Sequence, residues 1–314
     1  MALLEAAGLS LLSELSASPC SALAQRRAVR AGLSTQPWEA WLGDLLKSTA
    51  MTAGFSAGAA LALVKLTRRY QSWWWLVAAA MGTAGQTALT FLAPVILDPV
   101  FNRFDLLEPG PVREDVFDLS RRAGVDVGEV YRVDASRRTR AANAYVTGLG
   151  STRRVVLFDT LLDSFSREQI RLVVAHELAH VRNRDLLRSL TQQALNAPAS
   201  MYATSRLAAR IDPGVEDQPS TTNLAALVIS LALIGAITGP CAASLSRQIE
   251  ARADAFALAL TGSPEQFIAF QQQIVKQNLE DPQPPRWLRM ARTHPATVER
   301  IGTARAYARD IRQL

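Results

Sequence analysis

The sequence predicts a mainly α-helical protein in which several membrane-spanning helices are combined with an inserted small α/β domain. Three observations support this fold class. Hydrophobic residues make up 49% of the 314 residues and charged residues 20%, with a mean hydropathy of +0.07, whereas a soluble chain has about 25% charged residues. Long uncharged apolar stretches occur in both halves of the chain. Short β-type runs and an amphipathic helix pattern lie between them.

The sequence of residues 1–48 predicts an N-terminal segment that is amphipathic or degenerate and irregular. Its apolar opening is short and acidic, and it lacks the basic region that begins a signal peptide. Two apolar segments follow within residues 49–97, each close to the roughly twenty residues that cross a bilayer. Trp73–Trp75 lie where an interfacial aromatic belt is expected. The alternative is a pair of buried core helices, but the charge-free length of the second segment favours a membrane span.

Residues 98–185 change character and predict the small α/β domain. Apolar residues at helical spacing over Val112–Ala123 stop at Gly124, a typical helix C-cap. Ser166 and Gln169 have the spacing of a capping box, so a second helix is expected to begin at Ser166. Three runs with strand character lie between the two helices: Glu129–Val133, Ala144–Thr147 and Arg154–Phe158.

Two further membrane spans with an acidic loop between them are expected within residues 186–245. The first is a weak apolar stretch interrupted by polar side chains. The second, Asn223–Leu245, contains no charge and is long enough to cross a bilayer. Residues 246–314 then predict C-terminal helices, of which the first is a separate helix over Arg247–Leu260.

The charge distribution predicts the membrane topology. With two spans on each side of the α/β domain, residues 1–47, 98–185 and 246–314 share one side, which holds most of the arginines. The positive-inside rule makes that side cytoplasmic. Lysine occurs only three times against many arginines, a bias typical of high-GC bacteria, so a bacterial cell membrane is expected. The arginines are scattered without an aromatic-basic module, and the bilayer rather than nucleic acid is the expected partner.

The motif HELAH at 176–180 falls on the helix that begins at Ser166. Histidines at positions i and i+4 lie on one helix face, so the imidazoles of His176 and His180 can reach one metal ion. Two imidazoles and a carboxylate suit zinc, and Glu177 can take a proton from the water that the metal activates. The alternative is an ordinary helix with two exposed histidines. Because the chain has only three histidines, a chance match is rare.

A third metal ligand is required, and no histidine follows HELAH at close spacing, which excludes the metzincin pattern. The remaining choice is a glutamate on a later helix. Glu250 and Asp254 lie one turn apart, so that Glu250 can bind the metal while Asp254 accepts the free N–H of a ligand histidine. The alternative is a solvated charge face shared with Arg247 and Arg252; together with HELAH, the zinc interpretation is favoured.

Five motifs occur in one order along the chain: ANAYVTGLG (142–150), RRVVLFDTLL (153–162), HELAHVRNRD (176–185), EARADAFA (250–257) and THPATVERI (293–301). This set resembles the type-I CAAX prenyl endopeptidase family of membrane-embedded zinc metalloproteases and, more widely, its HtpX-type relatives. The segment PVFNRFDLLEPG (99–110) is similar to the prenyl protease branch. The resemblance covers roughly residues 33–310.

The resemblance implies a gluzincin domain that binds one Zn²⁺ per chain and hydrolyses peptide bonds. Its implied metal ligands are His176, His180 and Glu250. Glu177 would be the general base, and Asp254 would hydrogen-bond a ligand histidine. Asn143 and His294 would face the substrate carbonyl and stabilise the oxyanion, and the strand after Asn143 would pair with an extended substrate. From the residues alone, the less favoured alternative is that Asn143 is only a turn residue and that His294 only flanks the helix start at Pro295.

The family resemblance also implies a ring of about seven membrane helices, of which four are predicted here. The expected substrate is a peptide or a membrane protein, and in a bacterium prenylated substrates are not expected. Two alternatives stay open: an HtpX-type quality-control protease of membrane proteins, and a catalytically silent membrane scaffold.

Overall fold

The computed structural model describes residues 2–70, 72–148, 150–214 and 224–312, which form two compact units. The helical unit contains Met1–Arg30, Gln36–Thr90 and Ser189–Thr238. The α/β unit contains Ala31–Thr35, Phe91–Arg188 and Gly239–Leu314. The α/β domain predicted over residues 98–185 therefore lies in one unit with the C-terminal part of the chain.

Helices dominate the part of the chain that the structure describes. In chain order they are α1 (Ala2–Arg30), α2 (Trp38–Arg69), α3 (Trp74–Ile96), α4 (Asp98–Phe101), α5 (Pro111–Ala123), α6 (Asp159–Ser164), α7 (Arg167–Arg182), α8 (Asp185–Ile211), α9 (Leu224–Thr261), α10 (Pro264–Asn278), α11 (Arg286–Ala291) and α12 (Thr297–Arg312). The strands are β1 (Phe104–Leu106), β2 (Glu129–Val133), β3 (Ala144–Thr147) and β4 (Arg154–Phe158). Two 3₁₀ turns occupy Ala135–Arg137 and Gly150–Thr152.

The N-terminal part is more regular than the sequence suggested. An amphipathic or irregular segment was expected over residues 1–48, but α1 is one continuous helix that contains Pro19. α2 begins at Trp38, well before the span expected from residue 49, and it packs against α1. Ala and Leu dominate both stretches, and their high helix propensity outweighs isolated Gly and Pro residues.

Three helices among the described residues are long and apolar enough to cross a membrane: Trp38–Arg69, Trp74–Phe101 and Ala225–Thr261. Large apolar side chains on them are exposed, such as Phe55, Val95 and Ile237, as expected of residues that face lipid. The fourth expected span corresponds to α8, which is not among the three because polar side chains interrupt it. A membrane span there stays a prediction.

α9 differs from the sequence expectation in its continuity. A separate helix over Arg247–Leu260 was expected, but α9 runs unbroken from Leu224 to Thr261 with Pro240 inside it. Residues 246–248 carry polar side chains but include no helix breaker, and a change of polarity alone does not end a helix. Glu250 is therefore carried by the same helix as the apolar span.

The sheet of the α/β unit has the strand order β1-β2-β4-β3. β2 and β4 are parallel, whereas the β1–β2 and β3–β4 pairs are antiparallel. The three strand-like runs are confirmed with the expected bounds. β4 lies inside the sheet, so its residues Val155–Leu157 are fully buried. Val155 and Leu157 pack with side chains of α5 and α7 such as Leu119 and Leu178.

The β3–β4 hairpin depends on Gly148. Its φ is +91°, and a Cβ at this position would lie 2.5 Å from the Thr152 carbonyl oxygen. Only glycine fits such a turn without displacing the backbone. The turn sets the register of β3, the strand that borders the site described next.

Candidate metal centre and active site

α7 holds the HELAH motif on a helix fixed at its first turn. The expected capping box is present: the Gln169 N–H donates to Ser166 Oγ, and the Ser166 N–H donates to Gln169 Oε1. One face of α7 is buried, with Leu172 and Leu178 among the least exposed side chains of the chain. The remaining face presents the two histidines and the glutamate of the motif.

The structure brings His176, His180 and Glu250 together. Their ligand atoms all lie within 4.8 Å of one another. The two Nε2 atoms are 3.2 Å apart, and they lie 3.3 Å and 3.7 Å from the Glu250 carboxylate oxygens. Tetrahedral zinc with ligands at about 2.0–2.1 Å separates its ligand atoms by about 3.3 Å. The spacing of the three side chains therefore fits a zinc ion.

The hydrogen bonding of Glu250 supports the same assignment. The residue is 8% exposed, and its Oε2 is buried without a hydrogen-bond partner among the described residues. A buried carboxylate oxygen in this state is costly unless a cation or a donor satisfies it. Two imidazole nitrogens and this oxygen form a donor set that zinc prefers.

The second ring nitrogen of each histidine is held by a carboxylate. His176 Nδ1 lies 2.9 Å from Asp254 Oδ1, and His180 Nδ1 lies 3.0 Å from Asp185 Oδ2. A carboxylate that accepts from Nδ1–H leaves the Nε2 lone pair free for a metal. Asp254 lies beside a histidine of the motif, as the sequence predicted, whereas the contact of Asp185 with His180 was not predicted.

Asp185 reaches His180 because the chain turns sharply between α7 and α8. Arg184 adopts a left-handed backbone conformation with φ of 55°, which is uncommon for a residue with a side chain. Asp185 is the first residue of α8 and is 5% exposed. The only sequence signal was its place at the end of the motif HELAHVRNRD (176–185).

Arg300 is a second residue that the sequence argument missed. It lies on α12, within THPATVERI (293–301), and its Nε donates to Asp254 Oδ2 at 2.7 Å, while a second nitrogen donates to Oδ1. This bidentate contact fixes the Asp254 carboxylate, whose Oδ1 also lies against His176. Asp254 is 1% exposed, so its charge is paired inside the protein.

A cavity of about 630 Å³ opens beside the histidine pair. Asn143, His176, Glu177 and His294 all line it. The segment Ala141–Ala144, α10 and Arg292–Pro295 form further walls. The structure thus brings all seven residues singled out from the sequence to one place, four of them around the cavity.

Three of these cavity residues have distinct surroundings. His294 Nε2 lies 3.5 Å from Glu250 Oε2, and its Nδ1 lies 3.1 Å from Thr293 Oγ1. Asn143 is exposed, and its main-chain oxygen accepts from the Phe158 N–H. Burial raises the pKa of the Glu177 carboxyl, and the neighbouring imidazoles offset part of this rise.

A family model described as peptidase family M48 matches residues 107–308. The chain belongs to peptidase family M48. A second model, described as the CAAX prenyl protease N-terminal region with five membrane helices, matches residues 8–103. These matches confirm the expected class, a membrane metalloprotease that hydrolyses peptide bonds. Most of residues 1–48 lie within the second match.

Members of family M48 and related proteins match to different extents. The "Uncharacterized metalloprotease YhfN" of Bacillus subtilis (strain 168) is 28% identical over 300 residues, which cover 93% of this chain and 70% of that protein. CAAX prenyl protease 1 of Saccharomyces cerevisiae is 32% identical over 142 residues, 45% of this chain and 31% of that enzyme. The crystal structure of S. mikatae Ste24p superposes with a TM-score of 0.81 at 21% identity, covering 94% of this chain and 74% of that one. The expected fold is thereby confirmed.

Replacement of Asp185 tests whether it orients His180. Asp185→Ala should lower the affinity for Zn²⁺ by about 10- to 100-fold, because His180 loses the acceptor that fixes its ring. Competition with a chelator of known affinity measures the change. Arg188→Ala is the matched control, since Arg188 is 61% exposed and its nearest nitrogen is 3.9 Å from Asp185. Equal zinc affinity of Asp185→Ala and the wild type would contradict the role.

Proposed function

We propose that the chain is a zinc-dependent endopeptidase in which His176, His180 and Glu250 hold one Zn²⁺ and Glu177 is the general base. The observation that carries the proposal is the convergence of three ligand atoms within 4.8 Å, drawn from two helices far apart in sequence. The membership in family M48 supports it. When bound, zinc polarises a substrate carbonyl and lowers the pKa of a water to about 7.

Glu177 is placed to move the proton of the reaction. Its side chain lines the cavity beside His176, so a water that attacks a peptide carbonyl there lies within its reach. The same carboxyl can pass the proton to the nitrogen of the departing peptide.

Asn143 and His294 are proposed to stabilise the negative charge that develops on the carbonyl oxygen. Both line the cavity, and they belong to different segments of the chain, one before β3 and one between α11 and α12. Polar groups fixed in advance around such an oxygen are a major source of rate enhancement. The contact between His294 Nδ1 and Thr293 Oγ1 restrains the ring.

The edge of the sheet offers a place for an extended substrate. β3 pairs with β4 on one side only, and no strand of the described ranges lies on its other side. The Phe158 N–H donates to the Asn143 oxygen, so in this register Ala144 and Val146 turn their main-chain groups away from β4. Ala144 also lines the cavity. A peptide added along this edge would pass the proposed metal site.

The substrate class proposed is a peptide segment of membrane proteins, cleaved on the cytoplasmic side of a bacterial cell membrane. The match of residues 8–103 to the CAAX prenyl protease N-terminal region supports that branch over the HtpX-type alternative. The charge distribution supports the orientation. The silent scaffold is disfavoured because the ligand set, the base and both carboxylate partners are complete.

Removal of the general base should slow turnover strongly without removing the metal. Glu177→Gln is expected to lower kcat by about 10²- to 10⁴-fold on a quenched peptide in detergent, because the proton acceptor is lost. Zinc content, measured by elemental analysis, should stay at one ion per chain. Glu168→Gln is the matched control on the same helix, where Glu168 is exposed. Full activity of Glu177→Gln would rule out the mechanism.

His294 should contribute to kcat rather than to metal binding. His294→Ala is expected to lower kcat by about 10²-fold with zinc retained, since one stabilising contact to the oxyanion is removed. Met290→Ala, which changes an exposed residue of α11, should behave as the wild type. Loss of zinc in His294→Ala would show instead that the histidine is a ligand.

The orientation is tested by labelling one engineered thiol. The two native cysteines are replaced (Cys20→Ser and Cys241→Ser), and Gln283→Cys places a thiol in the exposed loop between α10 and α11. A membrane-impermeant maleimide should label this thiol in lysed bacteria and not in intact spheroplasts, because the loop faces the cytoplasm. Labelling in intact spheroplasts would reverse the topology.

A further inference from the structure

Gln271 is a cavity residue that contacts none of the proposed metal ligands through a hydrogen bond. It lies on α10, is 1% exposed and lines the same cavity as His176 and Glu177. Its Nε2 is buried and has no hydrogen-bond partner among the described residues. Buried donors are nearly always paired, because an unmade hydrogen bond is costly. A ligand that enters the cavity is the natural source of the missing acceptor.

The side-chain amide of Asn278 on α10 has hydrogen-bond partners, unlike that of Gln271. Asn278 also lines the cavity, and both ends of its side chain bond Ala142: the Ala142 N–H donates to Oδ1 at 3.0 Å, and Nδ2 donates to the Ala142 oxygen at 3.3 Å. Gln277 Nε2 donates to the Arg140 oxygen at 2.8 Å. These amides hold the segment before β3 in place. The Gln271 Nε2 makes no such hydrogen bond, although Gln271 lies on the same helix.

The nearest cavity-lining neighbours of Gln271 along its own helix are apolar. Phe267, Phe270 and Ile274 of α10 line the cavity with it. A hydrogen bond in such surroundings is stronger than one made in water. A buried donor without a partner also discriminates strongly between ligands that carry an acceptor and ligands that lack one.

We propose that Gln271 is a substrate-binding residue whose amide donates a hydrogen bond to a carbonyl oxygen of the peptide in the cavity. This inference rests on the proposed endopeptidase function. The terminal torsion of a glutamine side chain is broad, and no partner holds Nε2 in place, so the amide is able to turn towards the ligand. The acceptor is either a main-chain carbonyl or a side-chain carbonyl next to the cleaved bond.

The test compares two glutamines that are adjacent in sequence. Gln271→Met keeps the length of the side chain and removes the donor. Gln272→Met is the matched control, because Gln272 is exposed and does not line the cavity. The probes are quenched decapeptides with leucine, or asparagine of nearly the same shape, at each position around the central bond, and the zinc-loaded full chain is assayed in detergent.

The expected result is a loss of binding rather than of chemistry. Gln271→Met should raise KM about tenfold and leave kcat within about twofold, the size of effect expected for one hydrogen bond. An equal rise for every peptide assigns the acceptor to the main chain. A loss confined to the preference for asparagine over leucine at one position assigns it to a side chain. Gln272→Met should match the wild type.

An unchanged KM together with an unchanged preference would overturn the inference. If Gln271→Met lowers the melting temperature, Gln271→Leu provides the second variant for the same assay. Peptide affinity is also measured by fluorescence anisotropy in the Glu177→Gln background. If the peptides bind in a way that depends on Gln271 but the wild type does not cleave them, the proposed function alone is contradicted. If the wild type cleaves them and Gln271→Met cleaves them equally well, this inference alone is contradicted. A wild type that binds none of the peptides would contradict both.

Discussion

The meeting of the Glu250 carboxylate with the two imidazoles of α7 is the contact on which the rest of the site depends. It joins α7 to α9, and the further contact of His176 with Asp254 repeats the connection one turn later. Arg300 then ties Asp254 to α12. Charges this deeply buried are tolerated only when each has a partner. The C-terminal helix therefore shapes the metal site through Asp254, without itself reaching the proposed ligands.

The continuity of α9 has a consequence for how this site is built. Glu250 lies on a helix whose earlier residues are apolar enough to cross a membrane. No loop separates the apolar part from the carboxylate, so a rotation or shift of the helix displaces the proposed ligand directly. α7, in contrast, is held by a capping box and by its buried face. The site thus combines one helix anchored in the α/β core with one that continues from a membrane span.

Local patterns in the sequence account for much of the fold and of the site. Apolar periodicity and turn residues located the three strands and the capped start of α7 because these signals act within a few residues. The HELAH and EARADAFA motifs likewise supplied both imidazoles and both α9 carboxylates. Asp185 reaches His180 because Arg184 has a left-handed backbone conformation. An arginine in the sequence does not predict that conformation. Arg300 contributes through tertiary packing, and the unbroken course of α9 reflects the absence of a helix breaker rather than any positive signal.

We explain the open edge of β3 by its proposed role in binding an extended peptide. An unpaired edge strand invites association with other chains, and proteins usually keep such edges short, covered or charged. β3 has four residues, and at its beginning the Asn278 side chain occupies the main-chain groups of Ala142. In the register with β4, the next groups that face outwards belong to Ala144 and Val146. The chain therefore covers one end of this edge and leaves open the part beside the cavity, which is where an extended peptide must lie if Glu177 is to act on it.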